Sequence, residues 1–511
     1  MMLAWVLFLI YMAGTAWLGW LGHRRTGDFR SFAIGRGDLS PLVVGITLAA
    51  STASAATFII NPGFIYVDGL SAWIHMVPAT GLGFCGMLAA LSFRFRRLGE
   101  AAGAVTIPHW IGRRYGSSGF ALYFAVVNLL AFAFVVLLVG GTAIVMQRLL
   151  GLSNTASLLV ILIFVTSYVF VGGTYAHVFT NLLQGGLMFV VALLILGSGV
   201  SLLFGEPSFA ARITAEDPNL LALVNTEGLL FNDVFSIYVA GLVVGATIVC
   251  QPHILTKALY VKTDAAVRNY LVVFTVIFGV FLLLGTVGFF ARLTIPPGEL
   301  VDATTGAFRQ DLAMTVYLQR MFSPALFSVI SVVMLAAAMS TLDGVLVGIS
   351  TITANDLVLN LLERVGGDRV TPETSGRLAH RASQIVLVVL AVITFLVCLD
   401  PPRLLGIFGQ VGVYGMAVAA LCPLLAGVLF EKPSLAVVWA ASVAGLAIHL
   451  GLYFLGTRVF PGAPFTFANP GVTLTLAVLV TVPPALLLVA LVGSRRGGAK
   501  AGSVREEILS R

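Results

Sequence analysis

Between Leu335 and Ser350 the chain reads LAAAMSTLDGVLVGIS, an apolar helical run that carries two hydroxyls and a carboxylate. On a helix of 3.6 residues per turn, Ala337, Ser340, Thr341, Gly344 and Gly348 share one face. Small side chains let a neighbouring backbone come close there. Thr341 lies one turn beyond Ala337, so its hydroxyl approaches the Ala337 carbonyl and Ser340 adds an oxygen beside them. Three such oxygens make part of a shell for a hard monovalent cation, provided another element with a broken backbone supplies the rest. The same pattern also suits plain helix packing, because small residues four apart and hydroxyls join membrane helices. Asp343 stands about 60° around the helix from Ser340. At membrane depth it is either a coupling carboxylate or one paired with a loop cation or helix end near the cytoplasmic side.

The elements that must position these groups are membrane spans. The 511 residues are 59% hydrophobic and 10% charged, with mean hydropathy +1.02, a composition foreign to soluble globular domains. A span needs ~20 residues to cross roughly 30 Å of hydrocarbon. Thirteen candidates result: 3–21, 40–66, 71–92, 119–149, 156–172, 181–204, 234–255, 269–292, 324–353, 382–399, 405–430, 434–456 and 470–494. The first has neither a basic leader nor a cleavage motif and reads as a retained span. Alternate loops divide the 29 basic residues 22 against 7, which predicts an outside N-terminus and a cytoplasmic C-terminus. The richer set includes Arg30, Arg97, Lys257, Lys262, Arg364, Arg369, Arg377 and Arg511; the poorer includes Arg212, Arg320 and Arg403. The net charge of +7 is therefore a topology signal, and no nucleic-acid partner is expected. Residues 1–494 read as one transmembrane domain and 495–511 as a short basic tail, in a multi-pass protein of the inner (plasma) membrane whose partners are the bilayer and its solute, with no obligate protein partner.

Two spans look interrupted. In 40–66 an Ala/Ser/Thr-rich middle leads into Asn61, Pro62 and Gly63; in 234–255, Gly241, Gly245 and Thr247 lead into Gln251, Pro252 and His253. Each proline alone is equally a kink or an end. Recurring about five helices apart, the two mark an inverted repeat with discontinuous first helices, over about 40–204 and 234–430. Residues flanking the interruptions then line the solute cavity, which selects Thr52, Ser54, Thr57, Asn61, Thr247 and Gln251. The histidines His75, His177 and His253 fall at span ends and read as interfacial. Cys85, Cys250, Cys398 and Cys422 lie in or beside apolar spans, without CxxC or a histidine cluster, so neither a disulfide framework nor a zinc site is indicated.

The segment AAAMSTLDGVLVGISTITANDL (336–357) resembles the AAxMSTxDSxLxxxSSxxxxDL motif of the sodium:solute symporter family. Four further stretches are similar to its motifs in the same order: SFAIGRGDLSPLVVGITLAAS (31–51), NPGFIYVDGL (61–70), VGGTYAHVFTNLLQGGLM (171–188) and QPHILTKALYVK (251–262). The resemblance implies an all-α integral membrane protein with a LeuT-like core of five plus five inverted helices, one extra helix before it and two after. It also implies sodium-coupled import of a small organic solute (a carboxylate, amino acid or sugar) by alternating access. Carried over residue by residue, the sodium site falls on the carbonyls of Ala50, Ala53 and Ala337 and the hydroxyls of Ser340 and Thr341. The chain departs from the proline-type branch: Val244 and Ile248 stand at aromatic positions, Leu138 at that of a tyrosine, and Thr52 at that of an acid, so an aromatic cage is expected to be missing. Proton coupling through Asp343 is the alternative within the fold, and a transporter-derived sensor without its signalling domain is another. No motif for an intramembrane enzyme occurs.

Overall fold

The computed structural model describes residues 2–37, 39–301, 306–360, 372–402 and 405–509. Arg364, Arg369, Arg403 and Arg511 lie outside them. We label the spans α1 (Met2–His23), α2 (Pro41–Thr52), α3 (Ala56–Asp68), α4 (Leu70–Ala102), α5 (Ser118–Gln147), α6 (Asn154–Leu203), α7 (Phe235–Ile248), α8 (Pro252–Tyr260), α9 (Asp264–Thr294), α10 (Pro324–Leu359), α11 (Arg377–Leu399), α12 (Leu405–Leu429), α13 (Leu435–Val459) and α14 (Pro470–Val492). Among the described residues ten are long and apolar enough to cross a membrane alone, and two bent pairs bring the number to twelve. The difference from the expected thirteen turns on Gly173. It interrupts the 50-residue α6 at φ 51°, ψ −136°, between the segments read as 156–172 and 181–204. Only glycine adopts that backbone readily, and a Cβ there would strike the Phe32 ring.

Start signals are local. Ser40 accepts from Val43 N and Ser323 from Leu326 N, each followed by a proline in the first turn, where a missing N–H costs nothing. Packing then sorts the helices. The largely buried α10 lies among α1, α2, α5 and α6, while α12 packs on α5, α13 and α14. Backbones of α4 and α7 touch at Gly83 and Gly245, where a Cβ would collide with the Leu242 and Thr80 carbonyl oxygens. At the ends of two spans, Arg96 joins Glu100 (2.9 Å) and Asp264 (2.6 Å), and Arg97 pairs with the same aspartate, tying the end of α4 to the start of α9. α10 does not end at Asn355 and Asp356. A π-helical stretch, Thr353–Leu359, continues it, and Asp356 accepts instead from Thr106 Oγ1 at 2.6 Å.

Candidate functional site

Both expected interruptions are present as sharp bends. The α2 ladder ends at Ala53 (φ −81°, ψ 88°), and α3 leaves at 56° to α2 with Ser54 Oγ accepting from Ala56 N at 3.1 Å. The second lies at Gln251 (φ −67°, ψ 137°), where α8 leaves at 65° to α7 with Pro252 in its first turn. In each case a short break between two half-helices turns polar backbone toward the middle of the bundle, which is tolerable in a bilayer only inside protein.

The hydroxyl face of α10 meets the first break. Ser340 Oγ lies 2.8 Å from Ala50 O and 2.8 Å from Ala337 O, all fully buried. One hydroxyl proton thus faces two carbonyl oxygens, and because each carbonyl oxygen has two lone pairs, both keep acceptor capacity for a cation. Ser340, and not Thr341, reaches the Ala337 carbonyl. Thr341 Oγ1 is buried with no hydrogen-bond partner among the described residues. Gathered oxygens with an unpartnered hydroxyl beside them have the chemistry to take a small hard cation. Ala53 sits at the end of the ladder on the same break.

A cavity of about 150 Å³ lies between the two breaks. By the same measure a water needs roughly 10–15 Å³, so a small organic solute has room. Thr52, Ser54, Thr57, Asn61 and Gln251 line it as expected. Thr247 does not: its hydroxyl turns back to Val243 O at 2.7 Å on its own helix, the usual fate of a threonine in an apolar span. Val244 and Ile248 line the cavity, but Leu138 does not; its neighbour Leu137 does. The positions of Val244, Ile248 and Leu138 give no aromatic cage, yet the cavity has aromatic walls, because Phe84, Phe134, Phe231, Phe278 and Tyr414 supply them from other elements. Phe231 belongs to the long loop before α7; its ring sits 4.7 Å from that of His75, and Asn469 Nδ2 holds the adjoining Leu230 carbonyl at 2.7 Å.

The largest departure concerns Asp343, His177 and Lys257. His177 and Lys257 are neither interfacial nor in a loop but 2% and 0% exposed. Asp343 Oδ1 is 2.8 Å from His177 Nδ1, and His177 Nε2 is 3.0 Å from Lys257 Nζ. The bend at Gln251 aims α8 into the bundle and carries Lys257 with it, so the richer set of loop basic residues falls from 22 to 21. Spacing gave no sign of this cluster. The only clue was a lysine four residues after His253 on a stretch beginning at a break.

The sodium:solute symporter family model matches residues 32–436. The chain belongs to that family. This symporter is 26% identical over 466 residues to a sodium/pantothenate symporter of Haemophilus influenzae, covering 89% of this chain and 90% of the relative. It is 26% identical over 385 residues to a high-affinity proline transporter of Bacillus subtilis, covering 73% and 77%. Its fold is similar to that of a Na+-coupled sialic acid symporter solved substrate-bound and outward-open, with TM-score 0.72 at 15% identity over 95% of this chain and 98% of that one. A nucleobase-cation-symport-1 transporter, Mhp1, solved in a closed conformation, aligns at TM-score 0.52 and 13% identity over 90% and 95%. The symporter is therefore a LeuT-like, sodium-coupled carrier of a small organic solute and not an enzyme.

Proposed function

We propose that this symporter imports a small organic acid with a short apolar body, one end against the break at Ala53–Ser54 and the other against the phenylalanine walls. The carrying observation is the cavity's chemistry: none of its lining residues is Asp, Glu, Lys or Arg, yet the N-terminus of α3 opens beside Ser54, Asn61 and Gln251. A carboxylate there is held by unpaired backbone N–H groups and the half-helix dipole without a buried basic side chain. Pantothenate and proline, the solutes named for two relatives, are both carboxylates.

Sodium is held by the Ala50, Ala53 and Ala337 carbonyls with the Ser340 and Thr341 hydroxyls. Five neutral oxygens on two helices suit an ion that must be released each cycle. Bound, it joins α2 to α10; its departure to the cytoplasm frees them, so the sodium gradient biases which side is open. The N-terminus lies outside and the C-terminus in the cytoplasm of a plasma-membrane protein, a reading the 21-to-7 division of basic residues supports.

A thermal-shift screen of the purified protein against monocarboxylates, amino acids and sugars, with and without sodium, tests this. A ligand at a hundred times its Kd adds ~2.7 kcal/mol of apparent stability. A monocarboxylate should stabilise in sodium and fail to do so in choline. Stabilisation by sugars with none by any carboxylate overturns the substrate class; equal stabilisation by a carboxylate in both salts overturns the coupling site.

A further inference from the structure

Lys257 is fully buried and held on three sides: by Thr47 O at 3.2 Å, Ser51 Oγ at 2.9 Å and His177 Nε2 at 3.0 Å. An ammonium has three N–H donors, and three acceptors surround it. The Tyr260 ring, 6.0 Å away, is its other close neighbour. On the far side of His177, Asp343 takes Nδ1–H on Oδ1 at 2.8 Å, and the hydroxyls of Tyr168 (3.1 Å) and Thr180 (3.2 Å) lie against Oδ2. Donors converging on both oxygens are the surroundings of an ionised carboxylate. Wherever the shared proton sits between Nζ and Nε2, the cluster carries one positive charge against one negative.

This cluster joins what the transport cycle must move. Lys257 lies on α8, after the second break; Thr47 and Ser51 lie on α2, before the first; His177 is on α6 and Asp343 on α10. It also touches the sodium site, since Asn181 Nδ2 donates to Ser51 Oγ and to Ser340 O, both at 2.9 Å. We propose that Lys257 is a tethered cation of the coupling machinery: it balances Asp343 and fastens both broken spans together, in the place of a second transported ion, so that one sodium is bound per cycle. The inference rests on the sodium-site reading only in where that one ion sits. An ionised carboxylate at this depth is costly to leave without a positive partner. Removing the ammonium should therefore make the protein recruit a cation from solution.

The test counts sodium ions bound per chain, by equilibrium dialysis of radioactive sodium against purified full-length protein at one fixed pH near neutrality for every variant. No solute is needed. Wild type and Lys257→Arg should each bind one ion, Lys257→Gln two, and the double variant Lys257→Gln with Asp343→Asn one again. One ion in Lys257→Gln overturns the proposal, as do two in wild type or in the double variant. If Lys257→Gln does not fold, wild type, Lys257→Arg and the double variant still decide. Failure of the sodium-site reading shows elsewhere, as unchanged sodium affinity in Ser340→Ala and Thr341→Val.

Discussion

Thr341→Val should change sign with the ion. Without sodium the Thr341 hydroxyl is buried and lacks a partner among the described residues, a state that costs ~1–3 kcal/mol. Valine keeps the shape and removes the unpartnered oxygen, so in choline the variant should be as stable as wild type or about 1 kcal/mol more so. With sodium the comparison reverses. A lost ligand costing ~1.4 kcal/mol raises the half-saturating sodium tenfold. At a concentration a hundred times the wild-type Kd, wild type gains ~2.7 kcal/mol and the variant only about 1.4. Ser340→Ala behaves differently, because Ser340 Oγ already bridges Ala50 O and Ala337 O at 2.8 Å each; losing it should destabilise by about 1 kcal/mol in choline as well. Unfolding of purified protein across a sodium series at constant ionic strength, with choline as the replacement, measures both terms. If Thr341→Val is destabilised equally in both salts and its sodium midpoint does not move, the hydroxyl serves packing alone and the coordination argument fails.

Three other outcomes follow from the same geometry. A Cβ on Gly344 would come 2.9 Å from His177 Cε1, whereas one on Gly348 would meet Pro252 Cβ at an ordinary 3.6 Å; Gly344→Ala should cost ~1–3 kcal/mol in thermal unfolding and Gly348→Ala little, and equal costs would refute the contact. In ligand-dependent thermal shifts, Asn61→Ala and Gln251→Ala should weaken the solute response several-fold while Thr247→Val leaves it unchanged, because Thr247 faces its own helix. Cysteine probes near Arg97 and Lys262 should react from the cytoplasm and a probe near Glu206 from outside; labelling of Arg97 and Glu206 positions from one side contradicts the topology.

What the sequence made legible is what repeats along one helix or at one break. The hydroxyl face of α10 follows from residues three and four apart, and the two bends follow from weak stretches ending in Asn61-Pro62 and Gln251-Pro252, so both were readable without a partner helix. The aromatic walls were not. Phe84, Phe134, Phe278 and Tyr414 come from four helices, and a phenylalanine on an apolar span looks the same whether it faces lipid or a cavity. Thr247 misled for a related reason: proximity to a break says that a residue is near the cavity, while the rotamer decides which way its hydroxyl points. Lys257 was misassigned because counting basic residues treats every lysine at a span end as a loop lysine, and the count has no means of knowing that the chain bends inward at Gln251.

Three residues of α2 tie the site together. Thr47 O and Ser51 Oγ hold Lys257, Ser51 also takes Asn181, and Ala50 O meets Ser340. These contacts join one half-helix to α8, α6 and α10, so α2 cannot move against the three of them without giving contacts up. Hydrogen bonds between membrane helices average well under ~2 kcal/mol each, and none alone would hold the half-helix. With sodium at the proposed site and Lys257 opposite, a cation on each side would add what they lack. The sodium can leave and Lys257 cannot, which makes the ion the reversible part of the clasp and gives its concentration, on whichever side it is exposed, control over when α2 moves.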